Sequence, residues 1–364
     1  MRRLLLVEPD GRATLCDPDS GVRATLDAPE TAGGEGGNGR SVVRTAAWSA
    51  PGGWAACALD AVELDGTREL RLHHGADPGT TEVLASELTA FYLCPSPCGR
   101  FLAHLSPGPL GLELGVSEVG SGELRVLERG QPLFWAWSAD SSAVAVHVED
   151  RLFVVPADGG EPRVLTEQAG PFLAPWWTPD NSVVMLSADN RLLAYGLDGS
   201  VTELAGRCRS GRFALDATGR RVAVADLVDD GPALVVLDLL TGERDVVARE
   251  RTGGFFWSPE GRRLAALVVA DDNRVQWIVS DGEGLLRLPP FRPGQTWARE
   301  VLPFFEQYSQ SHAVWSADGT QLVAAGVDDG GAPEAVIQTA GPAAATEHIP
   351  GARLAWWADG DRQL

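Results

Sequence analysis

The chain of 364 residues contains no lysine, and its thirty basic side chains are all arginine. That excludes a phosphate loop built on lysine, a Schiff base to pyridoxal phosphate and a lysine general base. Arginine has GC-rich codons and lysine does not, which gives the bias a plain genomic source. Cysteine is scarce and odd in number: Cys16, Cys57, Cys94, Cys98 and Cys208 make no disulfide framework of the secreted kind. Cys94 and Cys98 form the one close pair, but no second pair or histidine follows at zinc spacing, so a buried or turn role is expected and no metal. No apolar run reaches the ~20 residues that span a bilayer. The opening Met1-Arg-Arg-Leu-Leu-Leu-Val is too short for the ~7–15-residue apolar region of a signal peptide. The expectation is a cytoplasmic protein without membrane insertion. No Gly-x-Ser-x-Gly elbow occurs, which excludes a hydrolase of that type. Positive charge is also short, with 50 acidic against 30 basic residues and a net charge of -20, so phosphates are repelled and nucleic-acid binding is not expected.

What is present is a repeat. Trp137-Ser-Ala-Asp-Ser-Ser, Trp257-Ser-Pro-Glu-Gly-Arg and Trp315-Ser-Ala-Asp-Gly-Thr each follow an apolar stretch, form a turn rich in Asp, Pro or Gly, and lead into a second apolar stretch. Looser copies align on Trp48, Pro95, Trp177, Leu215 and Trp356, giving eight anchors spaced by 47, 42, 40, 38, 42, 58 and 41 residues. A period near forty without 3.6-residue periodicity is that of four-stranded propeller blades. One unit shows all four strands, at Leu133 to Trp137, Ala143 to Val148, Arg151 to Pro156 and Arg163 to Thr166.

The last anchor, within Ala352 to Trp357, has no room for three more strands, whereas the N-terminus supplies three: Arg2 to Glu8, Arg12 to Asp17 and Val22 to Leu26. The fold expected is therefore all-β: a single eight-bladed propeller of four-stranded antiparallel blades over residues 1–364, closed by pairing of the two termini, with seven blades as the alternative.

The Trp-Ser-Ala/Pro-Asp/Glu-Gly-x-x-Leu block, followed by Arg151-Leu-Phe-Val-Val-Pro-Ala-Asp-Gly-Gly, resembles the TolB-type, WD-repeat-like propeller family over nearly the whole chain. The resemblance implies the fold and, broadly, protein interaction. It implies no chemistry, because these motifs recur in propellers attached to peptidases and to transport systems alike.

Two features stand out as candidate sites. The turns between second and third strands carry Glu149-Asp150, Asp189, Asp229-Asp230, Asp271-Asp272 and Asp328-Asp329. They are read either as turn formers or as a negative rim that steers a basic partner or a cation. The 58-residue interval contains an insertion at about 289–312, expected to join two blades over the channel mouth, with Thr296 capping a short helix that Pro303 breaks. Its candidate acid and base groups are Glu306, Tyr308 and His312, with Arg299, Gln307 and Ser311 as binding residues. The bland reading is a structural plug pinned by Trp297, Phe304 and Phe305. The Gly33 to Gly39 connection lacks a following helix and a lysine, so it makes a poor phosphate loop, and His73-His74 reads as a surface pair.

The reading favoured on these residues is a scaffold or recognition module that binds a protein or peptide on its acidic loop face. The alternative is a lyase, isomerase or hydrolase with its pocket in the insertion, and a third reading is a small-molecule or metal sensor using the acidic turns. No cofactor is expected.

Overall fold

A computed structural model describes residues 2–31, 40–62, 66–74, 80–170, 172–209 and 211–358, with backbone only at 30 and 31. The glycine-rich 33–39 segment lies outside the described residues.

The architecture is eight antiparallel sheets, each with its first strand innermost. Blade 1 starts with Arg40–Ser49, blade 2 with Tyr92–Pro95, blade 3 with Leu133–Trp137, blade 4 with Trp176–Trp177, blade 5 with Arg212–Leu215 and blade 6 with Thr252–Trp257. The four strands of blade 3 have the bounds expected from the sequence. Blade 1 departs from the four-stranded expectation: a two-residue strand, Glu30–Thr31, pairs with Ser41 and Arg40 inside its first strand.

Blade 8 closes the ring as expected, so eight blades hold and seven do not. Leu354–Trp357 is its inner strand, and Leu4–Val7, Ala13–Cys16 and Arg23–Asp27 follow outward. Leu4 faces Trp357 and Val7 faces Leu354. All four residues Leu4 to Val7 are fully buried, because blades cover this strand on both faces; its sequence is accordingly an apolar run rather than an alternation.

The repeat motif is explained by turn chemistry. Ser138 Oγ accepts the backbone N–H of Ala143 at 3.0 Å and donates to Asp140 at 2.7 Å, and Asp140 in turn accepts the N–H of Ser142. Ser316 and Asp318 repeat the pattern in blade 7. The turn ends in the left-handed region, where Gly261 and Gly319 sit at φ of 70° and 65° and Ser141 takes 62° in the third copy. The anchor tryptophans join blades: the indole N–H of Trp137, Trp177, Trp257 and Trp315 donates to the carbonyl of Cys94, Ala136, Ala214 and Phe256, each on the inner strand of the preceding blade, at 3.0–3.2 Å. Each such bond adds about 1 kcal/mol net to a seam that is otherwise apolar.

Among the described residues, no helix is long and apolar enough to cross a membrane.

Two predictions follow from burial. A chain ending at residue 351 leaves the edge of Leu4–Val7 unpaired and is expected to lose its single cooperative transition, read by calorimetry. His104 is buried with neither ring nitrogen hydrogen-bonded, its ring seated over Gly115, and burial lowers its pKa from 6.5 to about 4. The unfolded chain then binds a proton that the folded chain refuses. The stabilising contribution is complete above pH 6.5 and is lost as pH falls from 6.5 towards about 4. It amounts to about 3 kcal/mol. His104→Met is expected to flatten that part of the denaturation profile; an unchanged acid slope would refute the assignment.

Candidate functional site

The insertion does not lie between two blades, as the sequence suggested; it interrupts the inner strand of blade 7. Arg292–Pro293 pairs with Val327 and Gly326, the chain then leaves the sheet, and it returns at Ala313–Trp315, where Trp315 bridges to Leu322. Between these points lie a π-helical turn, Trp297–Val301, a 3-10 turn, Leu302–Phe304, and one α turn, Phe305–Tyr308. Pro303 falls where the winding changes, as expected of a residue without an N–H. Thr296 is itself helical and makes no side-chain cap, contrary to expectation.

This segment is driven into the channel and touches every blade. Gln307 pairs with blade 3 through both ends of its amide: Oε1 accepts the N–H of Trp135 at 3.0 Å, and Nε2 donates to the Trp135 carbonyl at 2.7 Å. Gln310 donates to Pro175 O ahead of blade 4, and Glu306 pairs with Arg212 of blade 5 at 2.7 Å. Phe305 packs on Phe255 of blade 6, with ring centroids 4.5 Å apart, and carries the Arg212 guanidinium 4.2 Å above its own ring. Tyr308 stacks on Trp356 of blade 8 at 5.6 Å.

Tyr92 of blade 2 is placed to donate to the Gln307 carbonyl and to Ser311 Oγ. Ser311 Oγ lies 2.7 Å from His312 Nδ1, and His312 Nε2 lies 3.3 Å from the Ala46 carbonyl of blade 1. A carbonyl only accepts, so Nε2 carries the proton and Nδ1 accepts from the serine.

These bonds fix what the six residues can do. Glu306 is buried, which pushes its carboxyl above the ordinary value while Arg212 pulls it back. Burial also raises the Tyr308 phenol. Neither side chain lines the two cavities beyond the plug; Tyr308 and His312 pack with ring centroids 5.0 Å apart, whereas Glu306 is turned to Arg212. His312, Gln307 and Ser311 do line one, whereas Arg299 is exposed on the outside of the insertion.

The plug occupies the end of the channel where inner strands begin; the cavities lie beyond it, where those strands end. One, of about 270 Å³, is lined by Trp137, Trp176, Trp177, Trp257 and Trp315, by the turn residues Thr178, Asp216 and Ser258, and by Ser309, Gln310 and His312 of the plug. A second, of about 90 Å³, adjoins it across Trp137, Gln310 and His312 and reaches Trp48 and Trp356. Together they form a basin floored by the plug and walled by tryptophan. The sole carboxylate on its lining, Asp216, is held by Thr218, Arg220 and Arg221 in its own turn. Of the residues singled out in the sequence, Gln307, Ser311 and His312 line this basin.

The acidic turns are on the opposite face and exposed, and arginines are interleaved with several of them. Asp229 and Asp230 form a two-residue hairpin with φ of 51° and 61°, and Asp272 has φ of 60°, conformations that Asp and Asn tolerate. Arginines from the same face meet them: Arg249 lies 2.9 Å from Asp229, Arg209 4.0 Å from Asp230, and Arg274 3.4 Å from Asp329. Asp328 caps its own turn by accepting the N–H of Ala332, and Asp271 accepts the N–H of Arg274 through its backbone carbonyl.

Sequence reasoning also missed a buried cluster. His73, read as a surface residue, is 3% exposed and bonds Asp27 at 3.0 Å, with Cys57 beside them. Residues 27 and 73 belong to different blades, and no local signal joins them.

Replacing Gln307 with Ala strands the buried N–H and C=O of Trp135 and is expected to cost roughly 2–4 kcal/mol in chemical denaturation. A loss below about 0.5 kcal/mol would mean that the plug is not a structural member.

No protein-family model and no curated protein matches the chain. Solved structures do. A eukaryotic initiation factor is similar at 12% identity and TM-score 0.62, with 98% of each chain covered. A dihydro-heme d1 dehydrogenase is similar at 14% identity and TM-score 0.61, covering 97% of this chain and 74% of the other. TolB from Acinetobacter baumannii gives 15% identity and TM-score 0.45, covering 77% of this chain and 75% of its own. At these identities the likeness is one of fold.

Proposed function

We propose that the protein is a recognition module that receives a protein or peptide segment in the tryptophan-walled basin, on the face opposite the acidic turns. The observation that carries this reading is the pairing of a large aromatic wall with polar neighbours already committed to internal bonds. Tryptophan offers wide apolar contact at low entropic cost, which suits recognition, whereas acid–base catalysis needs a group left to exchange protons with a ligand. For the same reason the lyase, isomerase or hydrolase reading is the weaker one: Glu306 is turned to Arg212, Tyr308 lies against Trp356, and His312 is bonded through both nitrogens.

The net charge of -20 favours a basic partner through long-range attraction and disfavours nucleic acid. The five cysteines are unbridged, which fits a reducing compartment such as the cytoplasm.

A displayed peptide library selected on the protein tests this. Selected peptides are expected to lose at least about tenfold in affinity on Ala217→Trp, which fills the basin from an exposed position with the melting temperature little changed, and on Trp176→Ala, which removes part of its wall and, because Trp176 also packs on the core, lowers the melting temperature. Asp229→Asn with Asp230→Asn is expected to leave affinity within about twofold beyond a salt-sensitive encounter rate. The opposite pattern would move recognition to the acidic face and overturn the basin.

A further inference from the structure

We infer that Asp27, Cys57 and His73 form a binding site for a divalent transition metal of the zinc class, set in the seam between blade 8 and blade 1. Strand register builds the site. In blade 1, Cys57 of Trp54–Ala61 lies opposite Arg71 of Glu69–His74, and His73 is two residues further along, so all three side chains leave the same face of the sheet. That face meets Asp27, the last residue of Arg23–Asp27. The donor atoms of Asp27, Cys57 and His73 lie within 4.8 Å of one another, and all three side chains are buried.

The partners around them are those of a ligand set held in position. Thr81, opposite His73 on the next strand, has its Oγ1 3.3 Å from His73 Nδ1, which directs Nε2 towards Asp27 and Cys57. The threonine hydroxyl can accept the Nδ1–H of the tautomer whose Nε2 is free to ligate a metal. Asp27 is likewise divided: Oδ1 takes the N–H of Ala28 and faces Arg71 at 3.4 Å, and Oδ2 faces His73 at 3.0 Å. Arg71 is itself balanced by Glu69 at 2.7 Å.

Charge favours a cation here. A carboxylate, a thiolate and a neutral imidazole around M²⁺ sum to zero, the state a buried seam tolerates best. Cys57 loses its proton on coordination, so the ion enters as one thiol proton leaves, and water completes a tetrahedral shell.

Cobalt(II) added to the chelator-treated, full-length protein is the probe. One equivalent is expected to produce a thiolate-to-cobalt band in the near ultraviolet and tetrahedral d–d bands in the visible, displaced by zinc. Cys57→Ser is expected to abolish the near-ultraviolet band, and Thr81→Val to weaken cobalt binding by about 10–100-fold while the bands persist. Zinc is expected to raise the melting temperature of the unaltered protein, less that of Thr81→Val at the same concentration, and not that of Cys57→Ser. Absence of the bands from the unaltered protein overturns the site whatever the variants do, and so does a near-ultraviolet band that survives Cys57→Ser, which assigns the cobalt to another thiol.

Discussion

Eight sheets set around an axis present eight inner edges, and each carries N–H and C=O groups with no strand beyond them. Such groups demand partners wherever water is excluded. In this chain one inner strand opens, between Pro293 and Ala313, and its looped-out residues fill the axis. Gln307 is the clearest case, because a primary amide presents one donor and one acceptor at the spacing of a peptide unit and so pairs with Trp135 as another strand would. The insertion's polar residues are partners for blade edges: Gln310 for Pro175, His312 for Ala46, Glu306 for Arg212. Residue types that suit catalysis also suit this task. Burial and bonding decide between the two.

The plug makes the two faces of the ring unlike. At the end where inner strands begin, several connections between the second and third strands, such as Asp229-Asp230, are tight hairpins that select Asp, Asn and Gly for positive φ, so acidity there follows from backbone geometry. At the other end four inner strands finish on a tryptophan that staples them to the preceding blade, Trp137, Trp177, Trp257 and Trp315, and these indoles stand around the open channel. The aromatic lining of that mouth is a by-product of how the blades are joined. The repeat that holds the ring together also furnishes an aromatic surface with Gln310 and His312 at its base.

The fold was legible because its determinants are local and recur. The Ser138–Asp140 turn, the anchor tryptophans and the run Leu4-Leu-Leu-Val can each be read within about ten residues, and the complementary leftovers at the two termini follow from the fixed number of strands per blade. The site was legible only in part. The insertion was evident from its length, but its direction depends on the chain turning out of the inner strand after Gly294, whose N–H still pairs with the Ala325 carbonyl, and no pattern of period two signals that exit. Asp27 and His73 were unreadable as a pair, since a contact across 46 residues and two blades leaves no trace in spacing.

Ring closure raises a last question, because the seam within blade 8 joins strands with no covalent link between them. Leu4–Val7 and Leu354–Trp357 share four register pairs, extended by Ala358 N–H to Arg3 O and Arg353 N–H to Val7 O, a modest ladder for a join on which every other blade depends. It is not left alone. Arg353, attached through its chain to blade 7, donates to the carbonyls of Val43 and Arg44 in blade 1 at 3.1 and 2.9 Å. Arg2, attached through its chain to blade 1, donates to Gln321 of blade 7 at 2.7 Å. Each terminus is thereby tied to the blade from which the other terminus extends. Opening the seam must break these lateral ties together with the ladder, so closure is cooperative over three blades. The Asp27–His73 contact lies on the same boundary between blades 8 and 1 and adds one buried polar bond where the chain is discontinuous.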